Sequence, residues 1–338
     1  MFKKIIGRSI ALILILSLLW MGIWLYNPIA TLLSLKKIND YPLYSLQYYG
    51  DARQNLEKIG KVQALFQRLN LYSGHEERAS FACSLFFSAA DPADMQYGRN
   101  FDWQFSPAVV VTYQQPGGNK SISIANLQWM GFSVQRATQL HQSSILERLP
   151  LLSSPYLLTD GMNDSGVVVG MAAVPDRGEL YNSNKKTAGS LQVMRLILDQ
   201  ATSTNDAVQI LRNHNIQMDG GPAIHYLIAD SNGISVVVEI THEDFFLVHP
   251  QQNYQAVTNH YLSDPSESQI SCPRLETLQE VLRLKNGQLP PGEAMHLLNQ
   301  VSQPSTQWSV VYHNITGQVE LVTDLNYAQP LTLQLKMR

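Results

Sequence analysis

The sequence predicts a mixed α+β fold behind an N-terminal apolar segment. Two observations carry the prediction. Runs of strand-forming residues are followed by helical patterns and then by strands again, and no regular strand-helix-strand alternation appears that would build a doubly wound parallel sheet. The 338 residues are 45% hydrophobic and hold only two cysteines. A multi-bridge disulfide framework is therefore excluded, and the fold must rest on a hydrophobic core.

The first 35 residues differ from the rest. Lys3, Lys4 and Arg8 precede an apolar run from Ile10 to Tyr26, broken only by Ser17 and Gly22. That length is at the short end of a membrane span, and no clean small-x-small cleavage pattern follows. The segment 1–35 reads as an uncleaved signal anchor or transmembrane helix in preference to a cleaved signal. The basic residues before the run place the bulk of the chain outside the cytoplasm. Between 36 and 82, Leu56, Ile59, Val62, Leu65, Phe66 and Leu69 recur at helical spacing. This stretch reads as a short helical pro-segment or linker.

From residue 81 the pattern turns to strands. Stretches 81–88, 96–103, 108–113 and 121–125 form a meander, with Pro116-Gly117-Gly118 turning between the last two. Asp160-Gly161-Met162-Asn163-Asp164-Ser165-Gly166 is rich in turn residues and leads into Val167, Val168 and Val169. Helices are expected at 191–201, 206–212, 273–284 and 291–301. A hairpin is expected over 224–240, and closing strands at 308–313, 319–323 and 331–336.

The formal net charge of −3 offers no basic field for nucleic acid. No His-Glu-x-x-His pattern is present, and no phosphate-cradling glycine loop opens a helix. The sequence thus implies neither metal nor cofactor. The histidines sit in no cysteine-protease signature. His260 reads as part of a loop that positions Asn259. Cys272 reads as structural, near enough to Arg274 to lie beside the site, and one Cys83–Cys272 disulfide remains open.

The chemistry centres on Cys83. Gly98-Arg99-Asn100-Phe101-Asp102-Trp103 follows it at hairpin distance, so Arg99 and Asp102 return toward the thiol. A nearby guanidinium favours the thiolate, which is the reactive form. Six stretches in order, namely the Cys83 strand, Gly98–Trp103, Asp160–Gly166, Thr258-Asn259-His260, Arg274 and Trp308-Ser309-Val310-Val311-Tyr312, resemble the N-terminal-nucleophile hydrolases. The branch is that of choloylglycine hydrolase and penicillin V acylase, with kinship to acid ceramidase-like enzymes and to acyl-CoA:6-aminopenicillanic acid acyltransferase-like enzymes. The resemblance covers 83–338.

It implies an αββα four-layer sandwich and autoproteolytic cleavage of the Ala82-Cys83 bond that removes the segment 36–82, so that Cys83 becomes a terminal residue with its own α-amine as base. An α-amine near pKa 7.7–8.0 suits that task. By the same resemblance Arg99 tunes the thiolate and contacts substrate, and Asp102 holds the amine. Asn163 and Asn259 supply oxyanion donors worth about 3 kcal/mol each, and Arg274 supports the site. The implied activity is hydrolysis of linear amide carbon-nitrogen bonds in a small-molecule N-acyl amide. Acyl transfer by the same residues and a catalytically inactive, membrane-anchored binding protein are the alternatives. Ser84 stands where many relatives carry Thr, and the long pro-segment differs from bile-salt hydrolases. Phe105, Trp129, Met130, Phe132 and Leu140 are candidates for an acyl pocket, with core packing as their first reading.

Overall fold

The computed structural model describes residues 22, 25–55, 82–218, 221–267 and 270–338. Helix α1 (25–33) leads into strands β1 (Lys36–Asn39) and β2 (Leu43–Gln47). Next come β3 (Ser84–Ser88), β4 (Gln96–Asp102), β5 (Ala108–Gln114), β6 (Lys120–Asn126), the short helix α2 (Val134–Thr138), β7 (Leu158–Asn163), β8 (Val168–Ala173) and β9 (Lys186–Gly189). Helices α3 (Ser190–Gln200) and α4 (Thr204–Arg212) precede β10 (His214–Gln217), β11 (Ile224–Ala229), β12 (Ser235–Ile240), β13 (Phe245–Val248) and β14 (Tyr254–Val257). Helices α5 (Pro273–Leu284) and α6 (Glu293–Gln300) then lead to β15 (Thr306–His313), β16 (Gln318–Thr323) and β17 (Leu331–Gln334).

Two large sheets form. One has nine strands in the order β1-β2-β5-β6-β7-β8-β11-β12-β13, the other six in the order β14-β3-β4-β15-β16-β17. The expected meander is therefore divided. β3 and β4 pair in the six-stranded sheet, while β5 and β6 pair in the nine-stranded one. The chain crosses between sheets after Trp103, where Ser106-Pro107 interrupts strand pairing.

Side-chain alternation fixes the layers. Along β5, Ala108 and Val110 join the core shared by both sheets, whereas Val109, Val111 and Tyr113 join a separate outer cluster with Leu151 and Leu152. On β7, Asp160 points inward to Arg99 while Asn163 turns outward to the end of α3. Helices α5 and α6 cover the other outer face through Leu278, Leu282, Leu297 and Leu298, which pack on Phe86, Val311 and Val322. The result is helix, sheet, sheet, helix. Gly170 is needed where the sheets approach closely, since a Cβ there would come within 2.7 Å of the Tyr97 hydroxyl.

The stretch before Cys83 differs from its helical expectation. Residues 36–47 supply two strands, and β2 pairs in parallel with β5 from Leu43↔Ala108 to Gln47↔Thr112. Leu43, Tyr44, Leu46 and Tyr48 are buried. Alternate apolar positions 44, 46 and 48 carry a strand period that is overridden in a longer window by the helical spacing downstream. The hairpin also ties the sheets together, because Asn39 Nδ2 donates to Thr323 Oγ1 at 2.9 Å and the Tyr41 hydroxyl to Gln307 Oε1 at 2.8 Å. Leu56, Ile59, Val62, Leu65, Phe66 and Leu69 lie outside the described residues. So does nearly all of the apolar run 10–26, and among the described residues no helix is long and apolar enough to cross a membrane.

Candidate active site

Cys83 immediately precedes β3 and is fully buried. The β3–β4 register brings the next strand back beside it, with Ser84 opposite Asn100 and Leu85 opposite Arg99. Arg99 Nη2 lies 3.7 Å from Cys83 Sγ and donates to Met171 O at 3.1 Å. Its Nη1 forms a buried ion pair with Asp160, whose other oxygen accepts the Tyr312 hydroxyl. Burial opposes the Arg99 charge most strongly, but the Asp160 carboxylate together with Cys83 and Tyr97 outweighs it and holds the guanidinium above its ordinary pKa. Burial pushes the Cys83 thiol up, and the Arg99 charge pulls it back. The thiol is thus poised between an apolar setting and a fixed cation.

Asn259 and Arg274 reach Cys83 from the opposite side. Asn259 Oδ1 accepts the Cys83 backbone N–H at 2.9 Å, and its Nδ2 donates to Ala173 O at 2.8 Å. Arg274, the second residue of α5, donates from Nη1 to Cys83 O at 2.7 Å and to Ser84 Oγ at 2.9 Å, and from Nη2 to Asn259 Oδ1 at 3.1 Å. Pro273 opens α5 at its first position, which is preorganised for a helix start. That start aims the Arg274 side chain back along the helix axis toward the sheet edge.

Asp102 ends β4 and is fully buried. Thr306 Oγ1 donates to its Oδ1 at 2.5 Å, and Arg274 Nη1 stands 3.6 Å from its Oδ2. Burial raises its pKa to about 6, against the lowering effect of Thr306, Arg274 and Arg99. A carboxyl with that value changes charge in mildly acidic solution.

Five of the six residues singled out in the sequence therefore converge: Cys83, Arg99, Asp102, Asn259 and Arg274. Asn163 does not. Its Nδ2 donates to Leu198 O and Ala201 O, and its Oδ1 accepts the N–H groups of Ser165 and Val167. It terminates β7 and caps the end of α3, on the outward side of the sheet. The turn chemistry of Asp160–Gly166 is a structural requirement at that position. The residue from this motif that reaches the site is Asp160, three places earlier on the inward face. A lone Asp beside Gly carries no signal of that role, which depends on strand register.

An aromatic wall adjoins the site. Arg99 Cζ lies 4.9 Å above the Phe101 ring, Phe101 stacks on Trp308 at 4.2 Å, and Trp129 meets Phe101 edge-on at 5.9 Å. Trp308 Nε1 is buried with no acceptor among the described residues. Phe105 is partly exposed and packs edge-on against Tyr41. Met130, Phe132 and Leu140, in contrast, belong to the outer cluster beneath α1 and α2 and are remote from the space between the sheets. They are core residues. Cys272 is a free thiol that caps α5, 3.6 Å from Thr258 Oγ1, and Cys83 is likewise free. His260 lies in the Asn259 loop, with Nδ1 3.2 Å from Thr258 Oγ1.

No curated protein matches the chain. Solved structures share its fold. A mutant conjugated bile acid hydrolase from Clostridium perfringens aligns at 14% identity over 75% of this chain and 92% of its own, with a TM-score of 0.53. Penicillin V acylase from Agrobacterium tumefaciens aligns at 14% identity over 74% and 84%, with a TM-score of 0.52. The family model described as acyl-coenzyme A:6-aminopenicillanic acid acyl-transferase matches residues 115–318. With that match spanning most of a chain folded as an αββα sandwich, the protein belongs to the acyl-coenzyme A:6-aminopenicillanic acid acyl-transferase family.

Proposed function

We propose that the chain is a self-cleaving cysteine enzyme that acts on linear amides through an acyl-thioester on Cys83. One observation carries this reading. The Cys83 thiol faces a guanidinium held in place by a buried carboxylate, while the nitrogen and carbonyl of the same residue are held by Asn259 and Arg274. A packing cysteine needs none of these partners.

In self-cleavage the Cys83 sulfur attacks the Ala82 carbonyl carbon. The amide C–N bond breaks, the Cys83 nitrogen leaves as a free α-amine, and water then hydrolyses the thioester to give the Ala82 carboxylate and the thiol. In turnover the α-amine takes the thiol proton and the thiolate attacks the substrate carbonyl. The amine passes that proton to the departing nitrogen and a thioester remains. Water, deprotonated by the same α-amine, releases the acid. Asp102 and the Asn259 Oδ1 hold the α-amine. The second N–H of Asn259 Nδ2 serves the oxyanion, since Ala173 O takes only one. The acyl group lies along Phe101, Trp129 and Trp308, where a polar atom on it would meet the Trp308 N–H.

The family match favours a second reading, in which an amine takes the acyl group in place of water at the same site. In either case the chain is tethered to a membrane by its N-terminal apolar run, with the catalytic portion outside the cytoplasm. In this reading the β1–β2 hairpin is retained after cleavage and not removed with the rest of 36–82, which its pairing in the nine-stranded sheet supports.

Intact mass of purified protein tests the scheme. The active preparation shows a species beginning at Cys83, and Cys83→Ala keeps the Ala82-Cys83 bond and loses all turnover. An active preparation containing only the uncut chain would refute self-cleavage. Incubation of the acyl-enzyme with added amines separates transfer from hydrolysis by product ratio.

A further inference from the structure

Two fully buried polar side chains stand behind the loop that carries Asn259. His225 on β11 and Glu239 on β12 oppose one another one step beyond the Tyr226↔Val238 pair. Glu239 Oε1 accepts the Leu262 N–H at 2.7 Å, and Oε2 accepts the Ser263 N–H at 2.9 Å. Glu239 Oε1 also lies 3.3 Å from His225 Nδ1, and His225 Nε2 lies 2.8 Å from Thr258 O.

The Thr258 contact fixes one proton. A carbonyl oxygen only accepts, so Nε2 carries hydrogen. Glu239 accepts amide protons on both oxygens, and His225 Nδ1 faces Oε1. Glu239 is thus the acceptor on which the His225 ring and both loop amides converge. Burial alone would raise the Glu239 pKa, but the His225 bond and charge, with the Ser263 and Leu262 amides, outweigh it and hold it low.

The pair grips the loop at residue 258 on one side of Asn259 and at 262 and 263 on the other. A buried polar pair is a poor way to gain stability, because apolar residues of the same volume often do as well or better. What it supplies is directionality: three hydrogen bonds that fix a backbone in one place, with a fourth contact joining the two side chains. We propose that His225 and Glu239 are positioning residues that fix the 258–263 loop and thereby hold the Asn259 Oδ1 on the Cys83 nitrogen. The proposal rests on the reading of Cys83 as nucleophile.

The test uses the full chain in four variants: His225→Leu, His225→Gln, Glu239→Gln and Cys83→Ala. Activity is normalised to Cys83 thiols titrated by an acylating probe, so misfolded protein does not count. His225→Leu and Glu239→Gln lower kcat by about 10- to 100-fold, the scale of misplacing a reacting group by roughly an ångström, and leave KM within about twofold. His225→Gln keeps a donor for Thr258 O and recovers most of the lost kcat. Unchanged kcat per titrated thiol, or a change confined to KM, overturns the proposal. Should the first two variants not fold, hydrogen exchange in the wild-type protein decides. The Leu262 and Ser263 amides must be protected like the core strands, and exchange at the rate of an exposed loop overturns it. If Cys83→Ala remains active, the nucleophile reading fails instead, while the exchange result still judges the loop.

Discussion

The backbone nitrogen of Cys83 and the side-chain oxygen of Asn259 meet at 2.9 Å across 176 positions of sequence. In the uncut chain this is a bond from an amide; under the proposed self-cleavage the same atom becomes an amine that Asn259 would help to aim. Asn259→Ala is therefore expected to slow self-cleavage and turnover together, by about 100-fold or more, the scale set by removal of one donor from an oxyanion site. Gel analysis of the uncut fraction over time checks the first effect, and kcat of the cut fraction the second. Loss of only one would separate the two roles.

Asp160 is expected to matter for stability as much as for chemistry. Asp160→Asn leaves Arg99 buried without a carboxylate, a change that costs roughly 3–5 kcal/mol in comparable pairs. Denaturant titration should show that loss, with the remaining folded protein poorly reactive toward thiol reagents because Arg99 is no longer held beside Cys83. A variant as stable as wild type would mean that the Tyr312 and Thr159 hydroxyls alone satisfy this pocket.

If Asp102 acts in self-cleavage as proposed, the rate is expected to have an acid limb. With its pKa raised to about 6, the carboxylate is lost as the pH falls below that value, so the rate for freshly synthesised chain should decline there, and Asp102→Asn should remove the limb along with most of the rate. Stability responds in the opposite direction. A carboxyl raised from 3.8 to about 6 by folding favours the fold most below 3.8 and loses that contribution as pH rises through 6. Lost activity at pH 5 is thus not unfolding at this group, which circular dichroism across the range would verify. After cleavage the adjacent α-ammonium favours the carboxylate, so the limb for turnover lies lower.

The segment ahead of the cut should stay bound. Under native conditions the cleaved protein is expected to run as one particle containing both pieces, and to separate in denaturant. Tyr41→Phe removes the bond to Gln307 and should weaken this association by about 1 kcal/mol. Release of residues 36–55 on cleavage in native gel filtration would contradict the pairing of β2 with β5.

Much of this was legible in the residues, for reasons that also explain what was not. Cys83, Arg99 and Asp102 are joined by a single hairpin, so sequence spacing places them. Asn259 and Arg274 flank a loop-to-helix transition with its own proline signal, and their convergence followed from a resemblance spread across the chain. Asp160 and Asn163 expose the limit. They sit in one turn-rich string, three residues apart, and strand alternation sends one inward and the other outward. Nothing in that string shows which face looks at Arg99, because the answer lies in the stacking of a second sheet. The strands at 36–47 were hidden for a related reason: they are short, and their partner β5 lies more than 60 residues away.

The bridges from Asn39 to Thr323 and from Tyr41 to Gln307 join residues that lie on opposite sides of the proposed cut. Before that cut, refolding is a first-order event within one molecule. Afterwards the information for the nine-stranded sheet is divided between two polypeptides, so recovery from denaturation becomes second-order and falls with dilution. Maturation would then act as a ratchet: the active form is durable while assembled, yet once melted at low concentration it does not return.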